Sequence, residues 1–264
     1  MTRNKILGGI GGIVVLAVIA IVALFALRDD APDEFELRTA DDLVEEEAAE
    51  DEAEESAPEE DAPEEDTSEE AASDEGSADE SSDTDDAVLG DVEGQWLVGP
   101  ESAAGYRVVE DFAGGIQDFE AVGRTNMIEG FLNIEGTTVT TATFDVDIAS
   151  ITSDSDQRDG QFRGRIMNAA EFPTAKFVLT SPIELGEIPG EASPISTSAS
   201  GDLTLRGSTQ PVEVTIDAQI VNGEIEVVGS IDVLFSDYGI DNPSFPAVTV
   251  RDEGLVEFQL IFIR

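Results

Sequence analysis

The chain has 264 residues, with 13 Lys and Arg against 59 Asp and Glu, and it contains neither Cys nor His. Disulfides, thiolate nucleophiles, Cys/His zinc sites, a Ser-His-Asp triad and a histidine general base are therefore excluded. The formal net charge of -46 also disfavours nucleic acid as a partner, because phosphate backbones are bound by clustered positive charge.

The N-terminal residues 1–28 carry three basic residues and no acid, and residues 6–27 form one uncharged run. As a helix rising about 1.5 Å per residue, this run spans ~33 Å, roughly one hydrocarbon core. Cations before it and acids after it predict a single-pass anchor with a cytoplasmic N-terminus and an extracytoplasmic remainder. A cleavable signal peptide is the alternative, although its apolar region is usually only about 7–15 residues and ends at a small-x-small site.

An acidic low-complexity stretch follows, with 32 acids and a single base over residues 29–95. Charge repulsion and scarce apolar surface predict a disordered linker, assigned to residues 29–93. A flexible chain of this length has a root-mean-square span of ~45 Å, so the expected role is that of a spacer. Calcium capture by carboxylates is the alternative, but the stretch lacks the D-x-[DN]-x-[DN]-G loop with its spaced Glu.

Residues 94–264 form the predicted folded domain, and their pattern is mainly that of strands. Apolar residues alternate with polar ones over 212–220, 225–235, 256–262 and 137–148. Asn222-Gly223 lies between two of these runs and predicts a tight hairpin. Further strands are expected at 104–113, 119–135, 174–181 and 197–206. Six or more antiparallel strands indicate a closed barrel or a sandwich.

One segment departs from the strand pattern. Residues 153–156 offer N-cap candidates, and residues 157–168 can be helical. Arg158, Phe162, Arg165 and Ile166 would then share one face of the helix.

Several motifs in order resemble those of the YceI-like family. They lie at 122–125, 150–153, 157–160, 171–177, 201–212, 229–231 and 236–240, and the resemblance covers roughly residues 94–264. It implies an all-β, lipocalin-like antiparallel β-barrel with a short helix near the mouth, preceded here by one transmembrane helix (1–28) and the disordered acidic linker. It also implies a long isoprenoid held in the lumen, outside the cytoplasm. Many members carry His-Ser near the first strand, where this chain has Glu101-Ser102, so any role of that His is absent.

In a barrel that holds a ligand, the inward apolar face is also the cavity lining. The expected apolar lining comprises Phe144, Val146, Phe162, Ile166, Phe172, Phe177, Leu203 and Leu205. Arg158 is expected to hydrogen-bond a carbonyl or hydroxyl head group, with Asp159 orienting it. Because the domain is acidic, a neutral isoprenoid lipid, quinone-like or carotenoid-like, is the preferred ligand over a prenyl phosphate.

Two other classes of function remain open. The first is a structural or adhesive surface domain whose barrel is filled by side chains. The second, less favoured, is a hydrolase that uses carboxylates, for which Asp145 and Asp147 on one strand face are the candidates. No catalytic residue, metal ligand or cofactor is predicted, and the expected location is the cell membrane.

Overall fold

The computed structural model describes residues 31–39 and 92–264, except 187, 189 and 191. Residues 31–37 and 93–264 belong to one compact unit, and the second unit, 38–92, includes only three described residues. Among the described residues, no helix combines the length and hydropathy needed to cross a bilayer. The expected anchor at 6–27 lies outside the described residues, and so do residues 29–30 and 40–91 of the expected linker.

The described chain is almost entirely β-structure. Its strands are β1 Gly94–Val98, β2 Ala103–Phe112, β3 Ile116–Thr125, β4 Ile128–Glu135, β5 Thr138–Asp147, β6 Thr152–Ser153, β7 Thr174–Leu179, β8 Ile183–Glu184, β9 Ile195–Leu205, β10 Ser208–Val221, β11 Glu224–Leu234 and β12 Val248–Ile263. Helix α1 spans Asp156–Gln161 and continues as a π-helical turn, Phe162–Ile166. Short 3-10 turns cover Ile148–Ser150 and Phe235–Tyr238.

The strands close into a barrel. From β12 the hydrogen-bonded neighbours run through β1, β4, β5, β7, β9, β10 and β11 and return to β12, which makes a circuit of eight antiparallel strands. The hairpin β2–β3 continues the same wall, because β2 pairs with the N-terminal part of β12 beyond β1. The all-β antiparallel barrel with one short helix is therefore confirmed.

The hairpin and the cap predicted from sequence are confirmed. Asn222 and Gly223 have φ angles of 52° and 78°, the left-handed values that a tight turn between β10 and β11 requires. Ser155 is the N-cap of α1 and accepts a hydrogen bond from the Arg158 backbone N–H.

Two expected elements were wrong in extent. The single strand expected at 119–135 is two strands, because the chain turns at 126–127, where Met127 N–H donates to Thr125 Oγ1. The helix expected over 157–168 begins one residue earlier, is α-helical only to Gln161 and ends at Ile166.

Candidate functional site

A cavity of about 430 Å³ occupies one end of the barrel. Its wall is formed by residues of β2, β3, β5, β7, β9, β11 and β12, and by α1 with its π-helical turn. Most of the lining is apolar, and it includes Val108, Phe112, Phe119, Val233, Val250 and Val256. The volume falls within the roughly 300–1,000 Å³ that is usual for small-molecule sites. The barrel therefore offers a largely apolar enclosure of ligand size.

The cavity stops at a layer of packed side chains. Val146 and Leu205 line it, and Val146 pairs across the sheet with Ala175. Two residues further along each strand, Phe144 pairs with Phe177, and Phe177 pairs with Leu203. These three residues lie outside the cavity lining and form its floor, together with the fully buried Phe262, whose ring centroid is 5.7 Å from that of Phe144.

The helical segment closes one side of the mouth. Phe162 and Ile166 both line the cavity, as expected. The Phe162 ring stacks on Tyr106 of β2 with centroids 4.6 Å apart. Arg165, expected on the same face, does not itself line the cavity and donates to the Gln161 side chain and to the Pro243 carbonyl, two residues that do.

Tyr106 fits into the crowded wall because its cross-strand partner is a glycine. A Cβ on Gly123 would lie 2.5 Å from the Tyr106 ring, so a side chain there would displace the ring. Burial raises the pKa of the Tyr106 phenol to about 12. Tyr106 is thus a neutral hydroxyl-bearing group on the cavity wall at neutral pH.

Arg158 also lines the cavity, and acidic side chains fix its position. It forms an ion pair with Asp154 on its own segment, and its Nη2 lies 3.8 Å from the Glu110 carboxylate of β2, which also lines the cavity. Burial raises the pKa of the Glu110 carboxyl, and the nearby Arg158 opposes that rise. The positive charge of Arg158 is therefore largely compensated before any ligand arrives.

Two expected site residues do not line the cavity themselves. Asp159 is linked to Arg158 through Ser153, whose hydroxyl accepts from Arg158 Nη1 at 3.4 Å. Its buried carboxylate accepts hydrogen bonds from the Ser153 backbone N–H (2.9 Å) and the Ser153 hydroxyl (2.7 Å). Phe172 lies outside the cavity lining, and its ring covers Gly207.

The carboxylate pair considered for hydrolysis has other contacts. Asp145 forms an ion pair with Lys176 at 2.8 Å, and Asp147 accepts from the Ala149 backbone N–H at 2.8 Å to cap a 3-10 turn. Neither residue lines the cavity. These contacts account for both side chains.

Sequence reasoning missed the contribution of β2 and of the loops near the mouth. Tyr106, Val108, Glu110 and Phe112 line the cavity from alternate positions of β2, and Phe245 does so while half exposed. Alternation along β2 could have predicted these lining positions, but two of them, Tyr106 and Glu110, are polar and hide the apolar pattern.

Comparisons with known proteins agree with this geometry. The model of the YceI-like domain matches residues 104–262. A UPF0312 protein of Shewanella denitrificans is 34% identical over 138 residues, which is 48% of this chain and 67% of the relative.

Two solved structures were also found to be similar in fold. One is a polyisoprenoid binding domain from Saccharophagus degradans implicated in plant cell wall breakdown, with a TM-score of 0.50 and 15% identity over 64% of this chain and 98% of that one. The other is Burkholderia cenocepacia BcnA, with a TM-score of 0.46 and 18% identity over 63% of this chain and 95% of that one. The family model matches more than half of the length of this chain. The chain therefore belongs to the YceI-like domain family.

Proposed function

We propose that this protein binds an isoprenoid or similar long apolar lipid in the barrel cavity and acts without catalysis, as a membrane-tethered extracytoplasmic protein. The observation that carries this proposal is the mainly apolar cavity of about 430 Å³ at one end of the barrel. A structural domain with a filled barrel would leave no such space. The polyisoprenoid binding domain of Saccharophagus degradans shares the fold, which supports the same class of ligand.

The polar side of the mouth favours a neutral head group. Arg158 is already paired with Asp154 and faces Glu110, so a phosphate would have to compete with two carboxylates for one guanidinium. A carbonyl or hydroxyl needs only one hydrogen bond, and Arg158 and Tyr106 are both donors on the cavity wall. A quinone-like or carotenoid-like lipid is therefore preferred over a prenyl diphosphate.

Tethering is proposed from the apolar run at 6–27 and the cations that precede it. The full-length protein should stay in the membrane fraction after a high-salt wash, with the barrel accessible from outside. A soluble mature protein that begins after Phe25 would remove the anchor from the proposal.

The ligand is tested by mass spectrometry of an organic extract of the purified full-length protein. The proposal expects an isoprenoid lipid in amounts comparable to the protein. An extract without any apolar lipid, combined with failure to bind added prenyl quinones, would favour a structural role.

A further inference from the structure

Two arginines, Arg107 buried and Arg124 partly exposed, form a polar cluster on the outer wall of the barrel. Arg107 lies between Tyr106 and Val108, which both line the cavity, so its side chain points outward. Nevertheless Arg107 is only 3% exposed, and its partner Glu257 on β12 only 2%. Charged side chains on an outer wall are normally solvated, so burial at this level indicates a surface that is covered.

The ion pairs within the cluster leave hydrogen-bond donors available. Arg107 donates from Nε to Glu257 Oε2 (2.9 Å) and from Nη1 to Glu120 Oε2 (2.6 Å). Arg124 of β3 donates from Nε to Glu257 Oε1 (2.9 Å). Two guanidinium groups therefore converge on one carboxylate. Each Nη2 group also approaches Glu257 Oε1, at 3.5 Å from Arg107 and 2.8 Å from Arg124, and has a second N–H to donate.

Residues 31–37 accept these outward donors through their backbone. Arg107 Nη2 donates to the Pro32 carbonyl at 2.7 Å, and Arg124 Nη2 donates to the Asp33 carbonyl. The Arg124 guanidinium also lies over the Phe35 ring, 3.9 Å from its centroid.

A third contact extends the docked segment along β12. Gln259 Nε2 donates to the Glu36 carbonyl at 3.3 Å. The same amide nitrogen lies 2.7 Å from the fully buried carboxylate of Glu226, which also accepts from Gln219 at 2.7 Å. The docked segment thus contacts β2, β3 and β12 at groups that are themselves fixed by buried partners.

We propose that the outer surface formed by Arg107, Arg124, Glu257 and Gln259 is a peptide-docking site whose occupant is residues 31–37 of the same chain. Recognition depends on backbone carbonyls and on one aromatic ring. Acidic side chains of the segment contribute little to it, because the cluster already contains the carboxylates of Glu120 and Glu257. This explains how a segment of an acidic stretch binds to an acidic barrel.

The same chain can supply this occupant. Residues 38–92 connect the docked segment to β1, and a flexible chain of that length has a root-mean-square span of ~40 Å, enough to return to the barrel wall. Connection at this distance gives the segment an effective concentration on the order of millimolar, which favours docking within one chain over exchange between two.

Docking of residues 31–37 changes the expected role of the acidic stretch. This inference rests on the proposed membrane anchor. Only residues 28–30 separate the apolar run from Ala31, and three extended residues reach about 10 Å. The barrel is then held next to the bilayer surface. The distance between the barrel and the bilayer then depends on residues 28–30 and not on the length of the acidic stretch.

The test uses the full-length protein in nanodiscs with pairs of spin labels. Because the chain has no Cys, labels are placed specifically at Glu34→Cys and Thr152→Cys, two exposed positions. Thr152 pairs with Arg124, so docking places it close to the segment. We expect one short, narrow distance distribution. A broad distribution in the otherwise unmodified chain would overturn the proposal.

Two matched variants separate docking from general effects. Phe35→Ala removes the ring beneath Arg124 and should broaden the distribution, whereas Glu36→Ala keeps the backbone carbonyl that Gln259 contacts and should leave it narrow. An unchanged distribution in Phe35→Ala would contradict the assignment. Dilution with unlabelled protein should not alter the short distance, and its loss on dilution would mean that a second copy is the occupant.

Proximity to the bilayer is measured separately, by energy transfer from a dye at Thr152→Cys to acceptor-labelled lipid head groups. Transfer should be high in the parent and fall in Phe35→Ala. If residues 31–37 are docked but energy transfer to the lipid head groups is low, only the claim that the barrel lies next to the bilayer is contradicted. Protein that does not enter nanodiscs would contradict the proposed anchor, and lost binding of prenyl quinone with intact docking would contradict the proposed ligand.

Discussion

Phe144 and Phe177 stack across β5 and β7 with ring centroids 6.2 Å apart, and this pair closes the cavity at its inner end. The cavity lies on one side of this pair, and the buried Phe262 packs against Phe144. The position of the pair determines how much of an apolar chain the protein can enclose.

Replacing one ring of the Phe144–Phe177 pair by a smaller side chain should allow a longer ligand to fit in the cavity. In the parent, affinity for prenyl quinones should rise by about 0.8 kcal/mol per added buried CH₂ and then level off when the cavity is full. Phe177→Ala should shift the plateau to longer chains, at a cost in unfolding free energy of about 3–5 kcal/mol. Titration with a series of chain lengths measures the shift.

Phe172→Ala is the matched control, because it removes an equal ring that lies outside the cavity lining. Its plateau should equal that of the parent. If Phe177→Ala also keeps the parent's plateau, the floor does not limit ligand length.

Arg158 should matter for the head group more than for the apolar chain. Arg158→Ala should weaken binding of a prenyl quinone by roughly the 0.5–1.5 kcal/mol of one hydrogen bond and leave binding of a plain hydrocarbon chain unchanged. Arg165→Ala, which removes a guanidinium of the same helical segment that does not itself line the cavity, should bind like the parent. Binding is compared at low and high salt.

A different outcome would reverse the preference for a neutral head. Tight binding of a prenyl diphosphate that weakens strongly with salt would indicate that Arg158 is available to an anion. Unchanged quinone binding in Arg158→Ala would leave the arginine with only its ion pairs to Asp154 and Glu110.

The contribution of Glu110 to the free energy of unfolding should fall as pH rises. Burial raises the pKa of its carboxyl in the folded protein, so the folded state retains a proton that the unfolded state loses. Its contribution is fully present below the unfolded pKa and is lost as pH rises through the folded pKa. Glu110→Gln should therefore flatten the stability profile above about pH 4.5, measured by thermal unfolding.

Glu129→Gln provides the control, since Glu129 is an exposed carboxylate on β4, away from the cavity. Its profile should follow that of the parent. A Glu110→Gln profile with the parent's slope would show that Glu110 is not the group responsible.

The two tyrosines should resist ionisation in the folded protein. Burial raises the pKa of Tyr106 to about 12, and burial also raises the pKa of Tyr238. The Tyr106 part of the tyrosinate absorbance should appear only near pH 12 or on unfolding, and the Tyr238 part should appear at a higher pH than in the unfolded chain, which titrates near pH 10. Half of the full signal at pH 10 in folded protein, as two unshifted tyrosines would give, would contradict the burial of both rings.

The sequence pattern predicted the barrel but not the depth of its cavity. A period of two places Val146 and Phe144 on the same inward face, as it does Leu205 and Leu203. Only the pairing of Phe144 with Phe177, and of Phe177 with Leu203, shows that one member of each pair lies in the floor. Cross-strand register decides this, and it depends on residues far apart in the chain.

The docking of residues 31–37 could not be predicted from the sequence either. Its contacts join Pro32 to Arg107 and Glu36 to Gln259, separations of 75 and 223 residues. Composition correctly marks the region as acidic, but a local excess of charge carries no information about two arginines on a distant barrel wall. Asp159 is linked to Arg158 through the Ser153 hydroxyl, a contact that helical spacing alone does not predict.

The most direct test of ligand binding fills the cavity in one variant and leaves it open in a matched one. Ala175→Trp places a large ring in the lining, and Val178→Trp places the same ring on the exposed face of the same strand, β7. Circular dichroism and thermal unfolding confirm that both fold, and a fluorescent isoprenoid probe then measures binding. Saturable binding is expected for the parent and for Val178→Trp, with at least a tenfold loss of affinity in Ala175→Trp. Equal binding to all three proteins, or no binding to the parent, would contradict this expectation.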